Sequence, residues 1–115
     1  MHRLNTPKKE TFKISSYDKD KESPYLYEVE GERILINGFE CFIFIEEDIQ
    51  EGIYEGEVVE YYNISHLPTG MRMASNLSKE EAIRKATFNA TKYQECIEKG
   101  IEKIKELNLG YPINI

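Results

Sequence analysis

The chain has 115 residues, of which 40% are hydrophobic and 31% charged, so it is an ordinary globular sequence large enough for one modest core. A net charge of −6 and a pI near 5.0 argue against a phosphate-binding stripe, and direct nucleic-acid binding is not expected. No apolar run approaches the roughly 18 residues of a membrane span, and the basic start has no apolar stretch behind it, so no membrane contact and a cytoplasmic location are expected.

Residues 1–10 read as a flexible basic arm on a single α+β domain covering 1–115. Thr11–Tyr17 alternates weakly and predicts a first, edge strand. Asp18–Pro24 has the composition of a solvated loop. Tyr25–Glu30 is rich in aromatic and β-branched residues and predicts a strand, after which Gly31-Glu32 is expected to turn the chain. Arg33–Ile36 and Phe39–Ile45 flank Asn37-Gly38. An Asn-Gly pair between apolar runs predicts a hairpin with a two-residue turn, because a type I′ turn needs positive φ at both central residues. The second arm is apolar on both faces, with Phe39, Cys41, Ile43 and Ile45 on one and Phe42 and Phe44 on the other. That pattern predicts a central strand covered on both sides, by a helix and by a second protomer.

Glu46–Gly56 reads as an acidic loop or a short helical turn. Residues 28–60 hold eleven acids against Arg33 alone. This segregation predicts an acidic surface of Glu46, Glu47, Asp48, Glu51, Glu55 and Glu57 able to dock a basic partner; the alternative is a solvated sheet face with acidic loops. Val58–His66 predicts a strand, and Met71–Ala74 a second. Between them Pro68 presets φ and Gly70 can take a left-handed conformation, which predicts a three-residue connection.

Ser78-Lys79-Glu80-Glu81 has the form of a capping box. Beyond it Ile83, Ala86, Ala90, Tyr93, Ile97, Gly100, Ile104 and Leu107 recur at spacings of three and four, widened by Ile101. This predicts one long amphipathic helix over 78–107. At roughly 45 Å it would outrun a compact domain of this size. A homo-oligomer is therefore expected, with Tyr93, Ile97, Ile101 and Ile104 at the interface and Gly100 as a possible break. Tyr111–Ile115 forms a short apolar tail.

For chemistry, the histidines are His2 and His66, and Cys41 and Cys96 lack ligand spacing, so neither a metal nor a cofactor is expected. Both cysteines read as buried thiols, and a Cys41/His66 dyad is disfavoured because Cys41 lies inside an apolar run. The seven glycines are dispersed and form no phosphate loop. The remaining cluster is Tyr62, His66, Thr69 and Arg72. An aromatic face, an imidazole and a guanidinium near a tight turn suit a nucleotide-like or carboxylate ligand. The competing reading assigns the tyrosine to packing, Thr69 to the turn, and His66 and Arg72 to the surface.

The run Tyr62-Asn63-Ile64-Ser65-His66-Leu67-Pro68-Thr69-Gly70-Met71-Arg72-Met73, followed by Ser78-Lys79-Glu80-Glu81-Ala82-Ile83, resembles a pattern in small uncharacterised phage and prophage proteins. Those run strand, Thr-His-x-Pro-Thr-Gly, strand, Thr-Lys-x-Glu-Ala, helix. The similarity covers about residues 34–90 and departs at Ser65, where threonine is the family residue. It implies a mobile-element origin, and such genes often encode antagonists of host defence.

These readings converge on an α+β fold: an antiparallel sheet of four to six strands with one long C-terminal helix. The leading function is a non-catalytic binding protein that captures a host protein or a small nucleotide signal. The alternatives are an acidic nucleic-acid mimic that inhibits a host DNA- or RNA-binding enzyme, and a small enzyme. A ligand binder should have a pocket near His66 and Arg72, whereas a mimic should gather its acids on one face.

Overall fold

Five strands, β1 (Glu10–Asp18), β2 (Ser23–Ile36), β3 (Phe39–Ile49), β4 (Val58–His66) and β5 (Arg72–Asn76), precede helices α1 (Lys79–Lys92) and α2 (Gln94–Glu106). The structure is a computed structural model and describes residues 9–49, 58–92 and 94–114. The strands form one antiparallel sheet in sequence order, with β3 in the middle. Asn37 and Gly38 take φ values of 50° and 87°, and Ile36 pairs with Phe39 across the two-residue turn.

Alternation along β3 builds two cores, one on each side of the sheet. Cys41 and Ile43 join Ile36, Ile64 and Ala74 beneath Ala82, Ala86, Ala90 and Ile97 of the helices. On the other side Phe42 and Phe44 pack with Phe12, Ile14 and Leu67. The cover on this second side is the chain's own β1, where a second protomer was expected. Phe12 stacks on Phe42 with ring centroids 4.4 Å apart, although β2 lies between their strands. The sheet must therefore roll until its first strand overlies its third.

Gly31 explains how. It does not turn the chain, as its composition suggested; β2 runs through it unbroken from Ser23 to Ile36. A Cβ there would run into the carbonyl oxygen of Ile43 and lie 3.1 Å from Phe44 Cβ. Pairing of β2 with β3 ends at Gly31 and Phe44. The remaining half of β2 pairs with β1, and that of β3 with β4, so the sheet opens at the glycine. A missing side chain lets the strands approach closely and bend.

The roll is fastened at the far end. The Ser15 N–H donates to Gly70 O at 3.2 Å, and Ile113 N–H to Pro68 O at 2.8 Å. Buried Asn114 accepts from Lys13 N–H at 2.7 Å and donates to Lys13 O and Leu67 O at 2.9 and 2.8 Å. The short apolar tail thus clasps β1 to the β4–β5 turn.

The helix expected over 78–107 is found as α1 and α2 on either side of Tyr93, which lies outside the described residues. Ser78 accepts from Glu81 N–H through its Oγ at 3.3 Å, as a cap should. The reciprocal half of the box is absent. Ser78 N–H turns to Asn76 Oδ1, and the Glu81 carboxylate pairs with Arg84. Gly100 does not break α2.

The seam faces the chain's own sheet. Ile97 and Ile104 are only 8% and 4% exposed, and Ile101 packs against the core. Among the described seam positions, Ile97, Gly100 and Ile104 are thus buried within a single chain.

Candidate functional site

The β4–β5 connection holds five residues, Leu67 to Met71, where three were expected. Gly70 N–H donates to His66 O at 2.7 Å, and His66 N–H to Met71 O at 2.8 Å. Gly70 sits at φ 67°, in the left-handed region that glycine alone enters without strain. Thr69 does more than favour the turn. Fully buried, its Oγ1 accepts from Met71 N–H at 3.2 Å and lies 2.9 Å from Nδ1 of buried His66. Two protonation patterns satisfy that contact. The hydroxyl can donate to a bare Nδ1, or accept from Nδ1–H with its second lone pair.

Beyond the turn, alternation sends Met71 and Met73 to the helix side and Arg72 to the other. Pairing of Ser65 with Arg72 but Ile64 with Ala74 leaves Met73 as the extra residue of a bulge. That is why adjacent Met73 and Ala74 both reach the helix-side core. The Met73 carbonyl, on the sheet edge, accepts from Asn89 Nδ2 of α1 at 2.7 Å. Arg72 places Nη2 3.3 Å from Glu46 Oε1, and its side chain stays 57% exposed.

A cavity of about 240 Å³ opens between this hairpin and the helices. His66, Thr69, Arg72 and the two methionines form its strand wall, and Asn89, Cys96 and Ile97 its helix wall. Three of the four residues singled out as a site are therefore brought together. Tyr62 is not among them. It lies four residues back along β4, in a separate cavity of about 360 Å³ beside Gly31, Ile45 and Lys79. Met71, Met73, Asn89 and Cys96 were missed as site residues. Asn89 and Cys96 each precede a seam position, Ala90 and Ile97, and that regular offset along the helix was the signal available.

Cys96 is exposed, which corrects its reading as a buried thiol. Cys41 is buried, as expected, and stands directly opposite His66 on β4. The pair is nevertheless no thiolate–imidazolium dyad. Burial pushes the Cys41 thiol up to about 12, and burial also holds the His66 imidazole below its ordinary value, with Glu40 opposing. Both groups stay neutral, the reverse of what a nucleophilic pair requires.

Of the acidic set, Glu46 accepts from Asn63 Nδ2 at 2.7 Å and pairs with Arg72, while the next residue, Glu47, points to the other face of β3. Asp48 belongs to β3, and Glu51, Glu55 and Glu57 lie outside the described residues. Among the described residues no three His, Cys, Asp or Glu side chains gather closely enough to hold a metal, and no helix is long and apolar enough to cross a membrane.

A rolled five-stranded meander with its helices on one face, and a cleft at the last hairpin, define the chain as an α+β protein with a candidate ligand site. Comparison with protein-family models, with curated proteins and with solved structures found no match.

Proposed function

We propose that this is a non-catalytic binding protein whose site is the His66–Arg72 cleft and whose ligand is small, flat and nucleotide-like. The observation that carries the reading is the convergence of His66, Thr69 and Arg72 on one cavity of about 240 Å³. That volume lies just below the roughly 300 Å³ at which drug-sized pockets begin, so it suits a nucleobase and leaves phosphate outside. Arg72 borders the cavity with its guanidinium turned to Glu46 on the opposite sheet face, and exchange of that exposed ion pair for the ligand would bring it to the phosphate. The thioethers of Met71 and Met73 offer soft, adaptable contact to a ring face. On the phage-type resemblance of residues 34–90, the ligand would be a host signal that the protein sequesters.

Titration calorimetry with adenosine monophosphate as probe tests this. Wild type should bind, and Arg72→Ala should lose at least about tenfold in affinity with an unchanged melting temperature, because packing cannot replace a guanidinium contact. No heat with wild type, or equal affinity in the variant, would sink the proposal.

A further inference from the structure

The chain contains two cysteines, three methionines and two histidines. Setting aside Met1 and His2, every remaining soft donor comes to one place. His66, Met71, Met73 and Cys96 line the same cavity, and the Cys41 thiol donates to Met73 Sδ at 3.4 Å from behind it. Elsewhere the helix-side core is filled with isoleucine and alanine, so sulfur is not this protein's general packing material. Met71 and Met73 are also only partly buried, and Cys96 is exposed, so the cavity these residues line is open to a solute.

From this convergence we infer that the cleft is a binding site for a soft monovalent cation of the Cu(I) class, held by the thioethers of Met71 and Met73 and the thiol of Cys96, with His66 as the nitrogen donor.

The ligand set decides the metal. Thiolate and thioether sulfurs select Cu(I) and related soft ions, whereas hard cations need carboxylate and carbonyl oxygens. Zinc is excluded by the scarcity of groups it favours, since no three His, Cys, Asp or Glu side chains cluster among the described residues. Arg72 also borders the cavity, but its guanidinium is drawn across β4 toward Glu46 of β3, away from the sulfurs. Thr69 supports the nitrogen donor. When Nδ1–H of His66 donates to Thr69 Oγ1, the Nε2 lone pair is left for the metal, the arrangement by which outer partners fix a metal-binding imidazole. Cys41 donates to the Met73 sulfur from behind the cavity and so orients that thioether. Binding is balanced simply: the Cys96 S–H bond breaks, the sulfur–metal bond forms, and one proton passes to solvent.

The inference shares the cleft with the nucleotide reading but stands without it. Silver(I), which needs no reductant, is the probe. Native mass spectrometry and calorimetry on the full chain should show one silver ion per chain and no comparable zinc binding. Met71→Leu/Met73→Leu, which nearly conserves volume, should lower silver affinity by at least about tenfold, the lower end of what loss of a metal partner costs. Adenosine monophosphate binding should depend on Arg72 and not on silver affinity, so the two readings can fail separately. In unmutated protein labelled at the methionine methyl groups, the Met71 and Met73 resonances should both move on adding silver, a readout that does not rely on the variant folding. Absence of binding, equal binding of zinc, unmoved methyl signals, or a double variant that matches wild type while Cys96→Ser alone abolishes binding would each overturn the inference.

Discussion

The sulfur of Met71 occupies the space that a side chain at position 100 would need. A Cβ on Gly100 would stand 2.5 Å from Met71 Sδ and 2.6 Å from its Cε. The glycine costs α2 about 1 kcal/mol against alanine, and it permits the close approach of the β4–β5 hairpin to the helix. Gly100→Ala should therefore leave stability within about 1 kcal/mol of wild type, because the obstruction is the end of a flexible side chain. What should change is the cleft, since Met71 must swing aside. Adding Met71→Ala should relieve the clash, and a double-mutant cycle on chemical denaturation would show coupling. Additive effects would mean that the two residues do not meet.

Gly38 and Gly70 share a positive φ but not their surroundings. Around Gly38 a Cβ meets nothing within 4 Å, whereas at Gly70 it would lie 2.7 Å from Lys13 O and 2.8 Å from Ser15 N. Gly38→Ala should cost about 1 kcal/mol, the conformational share alone. Gly70→Ala should cost more than about 3 kcal/mol, since backbone on both sides must move. Equal costs by urea denaturation would show that β1 does not rest on the turn.

The buried imidazole makes stability depend on pH. Desolvation lowers the His66 pKa below its ordinary 6.5, and Glu40 only partly opposes this. The unfolded chain accordingly takes up a proton that the folded chain refuses. This contribution is fully present above 6.5, declines as pH falls, and levels off once the folded imidazole itself titrates. His66→Asn keeps a side-chain acceptor near Thr69 and cannot titrate. Between about pH 7.5 and about pH 5.5, wild type should lose melting temperature faster than the variant. Parallel curves would contradict the assignment.

Two helix substitutions separate packing from association. Ile97, 8% exposed, sits in the helix-side core, so Ile97→Glu should cost more than about 3 kcal/mol by burying a charge without a partner. Phe88 is 56% exposed on the outer side of α1, with Lys92 Nζ 5.5 Å from its ring centre. Phe88→Glu should change stability by no more than about 0.5 kcal/mol. Outward apolar groups such as Leu35, Leu77 and Phe88 offer a homo-oligomer a second surface beside the seam. Sedimentation is the test: a wild-type assembly that Phe88→Glu dissociates would establish that surface, and a folded Ile97→Glu monomer would return the interface to the seam.

The legible parts of the fold were those governed by neighbouring residues. Asn37-Gly38 declares its turn because few other pairs tolerate two positive φ values. Alternation from Phe39 to Ile45 declares a strand buried on both faces. Gly31 was misread because glycine marks both a turn and a close approach of backbone, and only the position of Phe44 on another strand distinguishes them. The cover over Phe42 was illegible for the same reason: Phe12 reaches it through a roll of the whole sheet. At the site, His66, Thr69 and Arg72 were found from one hairpin. Cys96 was missed as a site residue because its neighbours in space, Met71 and Met73, belong to a different element.

The Asn114 clasp gives the molecule a time order as well as a shape. Strands that pair with their sequence neighbours can zip locally and fast. The clasp joins positions 101 apart, and neither half has a partner until the sheet has rolled. Its bonds are expected to be the last to close and the first to part. Amide exchange at Lys13 and Ser15 should therefore outpace exchange along β3, with both amides released in one step. The phenylalanine stack beneath would be the first core surface to meet solvent whenever the protein breathes.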